Sequence, residues 1–437
     1  MSQDRGAGRP EGYLWFLVLF LTLAGTVSYV DRQILALMIG PVKRDLGVSD
    51  TEVGLLIGLA FSLFYSAMML PMAWLADTRS RRLVIGGGMA AWSLMTALSG
   101  LARNYGELFL ARMGVGIGEA ALNPAAFSLL ADSAPRNRLP FLVGVFTAAP
   151  FIGIGLANML GGTLVQLLES APPVHLPFVG PLRSWQVTFL VVGIPGVALS
   201  LLALLIREPP RPPAEGPRPG AAVAPVLRFL AERRTLVGLH FAGLTLLAIE
   251  AFMAFAWMAE FFIREHGMSR ADIGQAYGLI ALVFGLSGSI LAGRLASVLM
   301  QRGRQDATLL LVLVAALAMT PLAIALPLAP TGPALGLLAA LTFFMAWPAG
   351  LGVAALQAVA PSEVRGRVVA LYLLLINLVP VTLGPVLAGL VNDLVFGRPD
   401  ALGETLLLLA AILYPLGALL VFCALAPFRR ALEAAPP

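Results

Sequence analysis

Four ionisable residues stand inside stretches that are otherwise apolar: Asp31 and Arg32 in one, Arg112 and Glu119 in another. An ionised group near the middle of a bilayer costs about 2.5 to 3.5 kcal/mol even on the insertion scale, so each should be paired or line a wet cavity. Neighbours on a helix point about 100° apart, so Asp31 and Arg32 are expected to meet different partners. Arg112 and Glu119 return to nearly the same helix face about 10 Å apart, and Gly116 and Asn123 lie on that stripe. The economical arrangement sets the two stretches face to face, with Asp31 near Arg112 or Glu119 near Arg32. A carboxylate beside arginine stays ionised, and one deprived of it in a low dielectric takes up a proton. If that step frees an arginine to hold a phosphate or carboxylate bidentately, proton and anionic cargo compete for one charge. Proton coupling is therefore expected of Asp31, Glu119, Arg32 and Arg112, and head-group contact of Arg32, Asn123, Glu250 and Tyr29. The competing account is a static network that locks the two helices together.

Composition defines the elements that must position these residues. Of 437 residues, 59% are apolar and 12% charged, with a mean hydropathy of +0.87, which excludes an ordinary soluble enzyme and a disordered chain. One cysteine, Cys423, and three histidines, His175, His240 and His266, leave no disulfide framework, and no metal site is expected. A hydrocarbon core needs roughly 20 helical residues. Long stretches with few charges run 14–30, 53–76, 83–102, 108–131, 139–168, 184–206, 236–262, 273–293, 368–392 and 405–428, and the first must continue to about Ile39 to reach full length. Residues 307–362 carry no charge and are too long for one helix, so the cluster Pro327, Pro330, Gly332, Pro333 should divide them. The expectation is an all-α membrane protein of twelve transmembrane helices in two six-helix bundles.

The boundaries follow: a tail over 1–13, a bundle over 14–206, a proline-rich linker over 207–234, a second bundle over 235–428 and a tail over 429–437. The first span lacks a cleavage-site pattern after it and is expected to be retained. With the N-terminus inside, the inner gaps and tails hold 20 Lys+Arg against 7 in the outer gaps, so both termini are expected in the cytoplasm, in a bacterial inner membrane. Cations confined to such gaps follow topology and give no reason to expect nucleic acid as a partner.

The two bundles also look like copies. Gly293-Arg294-Leu295-Ala296-Ser297 follows Ala73-Trp74-Leu75-Ala76-Asp77 by 220 residues, and the basic turn at Arg365 follows that at Arg136 by 229. The segment Ala73 to Arg82 resembles the signature loop of the major facilitator superfamily, matching at Leu75, Ala76, Asp77, Arg81 and Arg82 and departing at Ala73, Thr78 and Ser80. Arg112 ahead of a glycine run resembles that superfamily's second motif, and Gly153, Gly155, Gly161, Gly162, Gly384-Pro385 and Gly389 weakly resemble its antiporter motif. Within the superfamily, Asp31-Arg32, Gly118-Glu119-Ala120 and Arg207-Glu208-Pro209 resemble the spinster-like branch. That resemblance implies export of amphipathic lipids, such as lysophospholipids or sphingoid phosphates, coupled to protons.

Asp77, Arg81 and Arg82 are expected to form a cytoplasmic latch, although a basic loop that merely obeys topology would also explain the two arginines. Glu250, deep in the seventh span, suits a second protonation site, a head-group contact or a pairing with a polar neighbour. His240 is expected near the water and Trp257 in an interfacial belt. The chain lacks the phosphate-binding loop of an ATPase and the motifs of membrane proteases and esterases, so no catalytic residue is expected. Together these features predict a monomeric, cofactor-free secondary transporter that exports an anionic lipid against inward protons, surrounded by membrane lipids. A soluble organic anion, metabolite or drug is the second candidate cargo, and a receptor or lipid scramblase is the rival from another class.

Overall fold

The structure is a computed structural model that describes residues 11–135, 138–172, 174–176, 180–209 and 223–433. The N-terminal tail up to residue 10 and the proline-rich core of the linker lie outside the described residues, as do Arg136 and Asn137. Ten helical spans have the length and hydropathy to cross a membrane: Glu11–Leu46, Asp50–Thr78, Phe141–Ser170, Ser184–Leu205, Arg234–His266, Arg270–Gln301, Ala307–Leu328, Thr331–Val359, Glu363–Phe396 and Pro399–Glu433. Two more complete the twelve. The third is Arg81–Ser99, and the fourth is a broken pair, Tyr105–Glu119 and Leu122–Ser133, of which neither piece alone is long enough to cross. The long uncharged stretch divides where Pro327 and Pro330 stand, with a short 3-10 turn over Leu326–Leu328 between its two helices. Among the described residues the strands form one antiparallel hairpin between the fifth and sixth spans, Val174–Leu176 against Gly180–Leu182.

The chain divides into two compact units. One takes in Met1–Pro213 with Met268–Leu279, and the other Ala214–Gly267 with Ile280–Pro437. The first turns of the eighth span therefore pack with the N-terminal unit, where Arg270 pairs with Glu169 and donates to the Leu37 carbonyl at 3.2 Å. The linker ends in a helix of its own, Val223–Glu232.

Both spans that carry the buried charges are irregular immediately after them, for the same reason. A proline inside a helix lacks the amide donor and its ring clashes with the carbonyl four residues back. Pro124 is the third residue of the helix Leu122–Ser133, and the fourth span breaks at Ala120 and Ala121, directly after Glu119. Pro41 is the third residue of Ile39–Leu46, and the first span passes through a 3-10 segment, Ile34–Met38, directly after Asp31, Arg32 and Gln33. Leu37, four residues before Pro41, is the residue whose carbonyl accepts from Arg270.

Two tryptophan and histidine expectations are corrected. Trp257 is not in an interfacial belt: it is fully buried and its indole N–H donates to the Pro385 carbonyl at 2.9 Å. His240 does not face water: it is buried, bonds the Gly352 carbonyl through Nε2 at 3.0 Å and packs against Tyr372 and Phe241. Both lie on Arg234–His266, a helix that packs on the eleventh and twelfth spans and has little free perimeter for a wet or interfacial side chain.

Candidate functional site

The first and fourth spans bring four charges together inside the N-terminal unit. Arg32 forms an ion pair with Glu119, Nη2 to Oε2 at 2.5 Å, with the arginine side chain 16% exposed and the acid sealed. Ser28, one turn before Arg32 on the same face, donates to the same carboxylate oxygen at 2.6 Å. Arg112 is fully buried and donates from Nη1 to the backbone carbonyl of Asp31 at 3.1 Å. Asp31 is also fully buried, and neither of its carboxylate oxygens makes a hydrogen bond. The Thr96 hydroxyl and the Trp92 indole of the third span lie beside that carboxylate.

The close approach of these helices rests on two glycines. A Cβ at Gly116 would stand 2.5 Å from the Phe61 carbonyl of the second span, and one at Gly118 would stand 2.6 Å from the Trp92 backbone nitrogen of the third. Their absence of side chain lets the fourth span deliver Arg112 and Glu119 to the centre of the unit.

Three aromatic rings surround the Arg32 guanidinium, with its carbon 4.1 Å from the centroid of Phe61, 4.7 Å from Tyr29 and 5.4 Å from Tyr65. Such rings hold a cation by their π faces without neutralising it, so the arginine keeps a net attraction for an anion. The Tyr65 hydroxyl accepts from the exposed amide of Asn123 at 3.1 Å. Arg32, Tyr29 and Asn123 are thus gathered at the partly open rim of the cluster, while Asp31, Arg112 and Glu119 form its sealed floor.

Glu250 is elsewhere. It lies in the C-terminal unit, 5% exposed, in a pocket walled by Met253, Met258, Leu326, Leu341, Leu406 and Tyr414. Among the described residues no arginine or lysine lines that pocket, and the Oε1 atom has no hydrogen bond.

The three residues expected at the latch differ in burial. Arg81 is buried, forms an ion pair with Asp132, and donates from Nε to Glu208 at 3.2 Å and from Nη1 to the Ser128 hydroxyl at 2.9 Å. Ser80 bonds the same Glu208 carboxylate, and the backbone N–H of Arg81 donates to it at 2.8 Å. Burial alone would raise the carboxyl of Glu208, but the hydrogen bonds from Ser80 and Arg81 hold it below its ordinary range. Arg82 and Asp77 are exposed. Arg81 thus ties the loop after the second span to the fourth span and to the start of the linker, all inside the N-terminal unit.

Sequence reasoning missed Ser28, Phe61, Tyr65, Thr96 and Trp92 around the cluster, and Asp132 and Glu208 around Arg81. The signals present were weak: Ser28 stands four residues before Arg32, and Phe61 four before Tyr65. Among the described residues no group of His, Cys, Asp and Glu is arranged to hold a metal ion.

Twelve apolar helices built from a duplicated plan, with ionised side chains at the centre of one half, define a membrane transporter. The profile of the Major Facilitator Superfamily matches residues 21–385, and the chain belongs to that superfamily. It is 30% identical over 433 residues to an MFS-type efflux pump of Mycolicibacterium smegmatis (strain ATCC 700084 / mc(2)155), covering 95% of this chain and 94% of the relative. It is 25% identical over 326 residues to a probable galactarate/D-glucarate transporter of Bacillus subtilis (strain 168), covering 68% of each. In fold it is similar to a bacterial homolog of the human lysosomal transporter spinster, with a TM-score of 0.78 and 24% identity over 97% of this chain and 98% of that one.

Proposed function

We propose that the protein is a proton-coupled secondary transporter that exports an amphipathic anionic lipid, of the lysophospholipid or sphingosine-phosphate kind, by alternating access of its two halves. It works as a monomer in a bacterial inner membrane with both termini in the cytoplasm, needs no cofactor and uses protons as the coupling ion. The observation that carries this reading is the Arg32–Glu119 pair, set in an aromatic collar at the rim of a sealed floor of charges.

Arg32 has one carboxylate partner and one partly open side. An arriving phosphate offers it a bidentate partner of higher charge and draws it away from Glu119. The freed carboxylate would then stand beside Asp31 with its side chain sealed from solvent, and a proton is the cheapest way to neutralise it. Asp31, which has Arg112 nearby and no hydrogen bond to its carboxylate, gives the same proton a second place to rest. Release of the proton restores the pair and expels the head group, so cargo and proton alternate on one charge. Tyr29 and Phe61 flank the arginine and give the first methylenes of an acyl or sphingoid chain an apolar surface.

Proteoliposomes with an imposed pH gradient test the mechanism. Uptake of a fluorescent lysophospholipid should follow the gradient in the native protein, fall at least tenfold in Arg32→Ala and lose its pH response in Glu119→Gln. Uptake unchanged by both Glu119→Gln and Asp31→Asn would sink the coupling roles. A second reading, transport of a soluble organic anion, is favoured by the similarity to the probable galactarate/D-glucarate transporter. In the same vesicles galactarate would then inhibit or replace lysophospholipid, whereas a lipid exporter is indifferent to it.

A further inference from the structure

An uncharged cavity lies in the C-terminal unit beside the end of the eighth span. At the offset of 220 residues, Ser297 stands where the first repeat has the acid Asp77. Gln301 and Ser297 line a cavity of about 660 Å³ between the eighth, ninth and tenth spans. Among the described residues no ionisable side chain lines it.

Three features make the cavity a binding site. Two of its lining groups are buried and unbonded: the indole N–H of Trp347 and the hydroxyl of Thr308, each on a residue 5% exposed. An indole N–H can only donate, so it calls for an acceptor that the protein does not supply. The lining runs from Ser289 to Gln301 along one helix, about 18 Å, with polar groups at both ends and small apolar ones between. The walls are also cut back, since a Cβ added at Gly293 or at Gly350 would meet nothing within 4 Å. A volume in this range holds one small organic molecule, and the mixture of a long apolar wall with a few hydrogen-bonding groups is that of a ligand pocket.

We propose that this cavity binds a single-chain lipid with an uncharged head, of the monoacylglycerol kind. An ester carbonyl accepts from Trp347 and Thr308, the hydroxyls of the head meet Gln301 and Ser297, and the chain lies along Ala292 and Ala296. The absence of any lining cation disfavours a phosphate or carboxylate here, unlike the Arg32 cluster. The site belongs to the other half of the molecule and does not depend on the transport reading.

Bromine quenches tryptophan fluorescence on contact, and Trp347 lines the cavity, so a dibrominated monoacylglycerol added to the full-length protein in nanodiscs reads its occupancy. Quenching should contain a saturable component that disappears in Trp347→Phe. Gly350→Leu and Gly293→Leu should each raise its half-saturation at least tenfold while the protein stays monodisperse with an unchanged melting temperature. Glu119→Gln should leave it intact, and a brominated lysophosphatidic acid should not produce it. Quenching that only rises linearly with probe, that survives both leucine substitutions, or that the acidic probe reproduces equally well would overturn the assignment. Either leucine variant alone suffices if the other misfolds.

Discussion

The two halves share one helical plan, yet Glu119 is buried against an arginine and Glu250 is buried without one. In the N-terminal unit Asp31 and Glu119 are buried with two arginines among them, and each charge has an opposite charge near it. In the C-terminal unit Glu250 is buried among methionines, leucines and one tyrosine, with no cation at its pocket. The contrast continues at the helix ends. Arg81 is a cation held by two acids, whereas Asp306, between the eighth and ninth spans, is an acid held by two arginines, Arg429 at 2.7 Å and Arg304 at 3.3 Å. The lesson is that the duplicated backbone fixes where helices pack, while substitutions within it decide whether a position carries a charge pair, a lone acid or a cavity.

The largest expected effect comes from breaking the paired half. Arg32→Met leaves Glu119 buried without its cation and should cost about 3 to 5 kcal/mol in denaturant unfolding in detergent. Adding Glu119→Gln to it should recover most of that loss, and equal losses in the single and double variants would show that the two residues are not coupled. The lone acid should behave with the opposite sign. Glu250→Met removes a buried carboxyl that has no cation and should raise stability by about 1 to 3 kcal/mol, so a loss of similar size would reveal a partner that only the intact carboxylate holds.

A packing effect of intermediate size isolates the geometry from the charge. Gly116→Ala pushes a methyl against the Phe61 backbone and should cost about 1 to 3 kcal/mol, with loss of lysophospholipid uptake although no charge has changed. The smallest effect is at the linker tie. Glu208 is held below its ordinary value of 4.5, so the stabilisation it contributes is fully present above that value and is lost as the pH falls through the depressed one. Carbon-13 NMR of labelled glutamate should therefore show one carboxyl that titrates later than free glutamate on acidification, and Arg81→Gln should move it part of the way back, because the bonds from the Ser80 hydroxyl and the backbone N–H of residue 81 remain. The same signal unchanged in that variant would remove Arg81 as the cause.

Much of the fold was legible from composition and periodicity, because hydrocarbon thickness imposes one helix length and water-free surroundings forbid unpaired backbone. The prolines that break the long uncharged stretch were readable for the same local reason. Asp31, Arg32, Arg112 and Glu119 stood out because a charge in an apolar run has no local excuse. Their partners were not legible. That Glu119 meets Arg32, while Arg112 meets only the backbone of Asp31, depends on the rotation of each helix about its axis, which neighbouring side chains and the glycines at 116 and 118 set.

His240 and Trp257 show the same limit from the other side. Their residue types suit an interface, and distance from the helix ends alone placed them there, but helix packing on the eleventh and twelfth spans closed over both. Sequence by itself determined that this chain crosses a membrane twelve times, that its halves are copies and that four charges lie deep within one of them. Only the tertiary structure decided which charge touches which, that Glu250 is buried away from any lining cation and that a neutral cavity opens between the eighth, ninth and tenth spans. Hydrophobic length and charge cost are properties of a segment, whereas pairing and vacancy are properties of the faces that several segments turn toward one another.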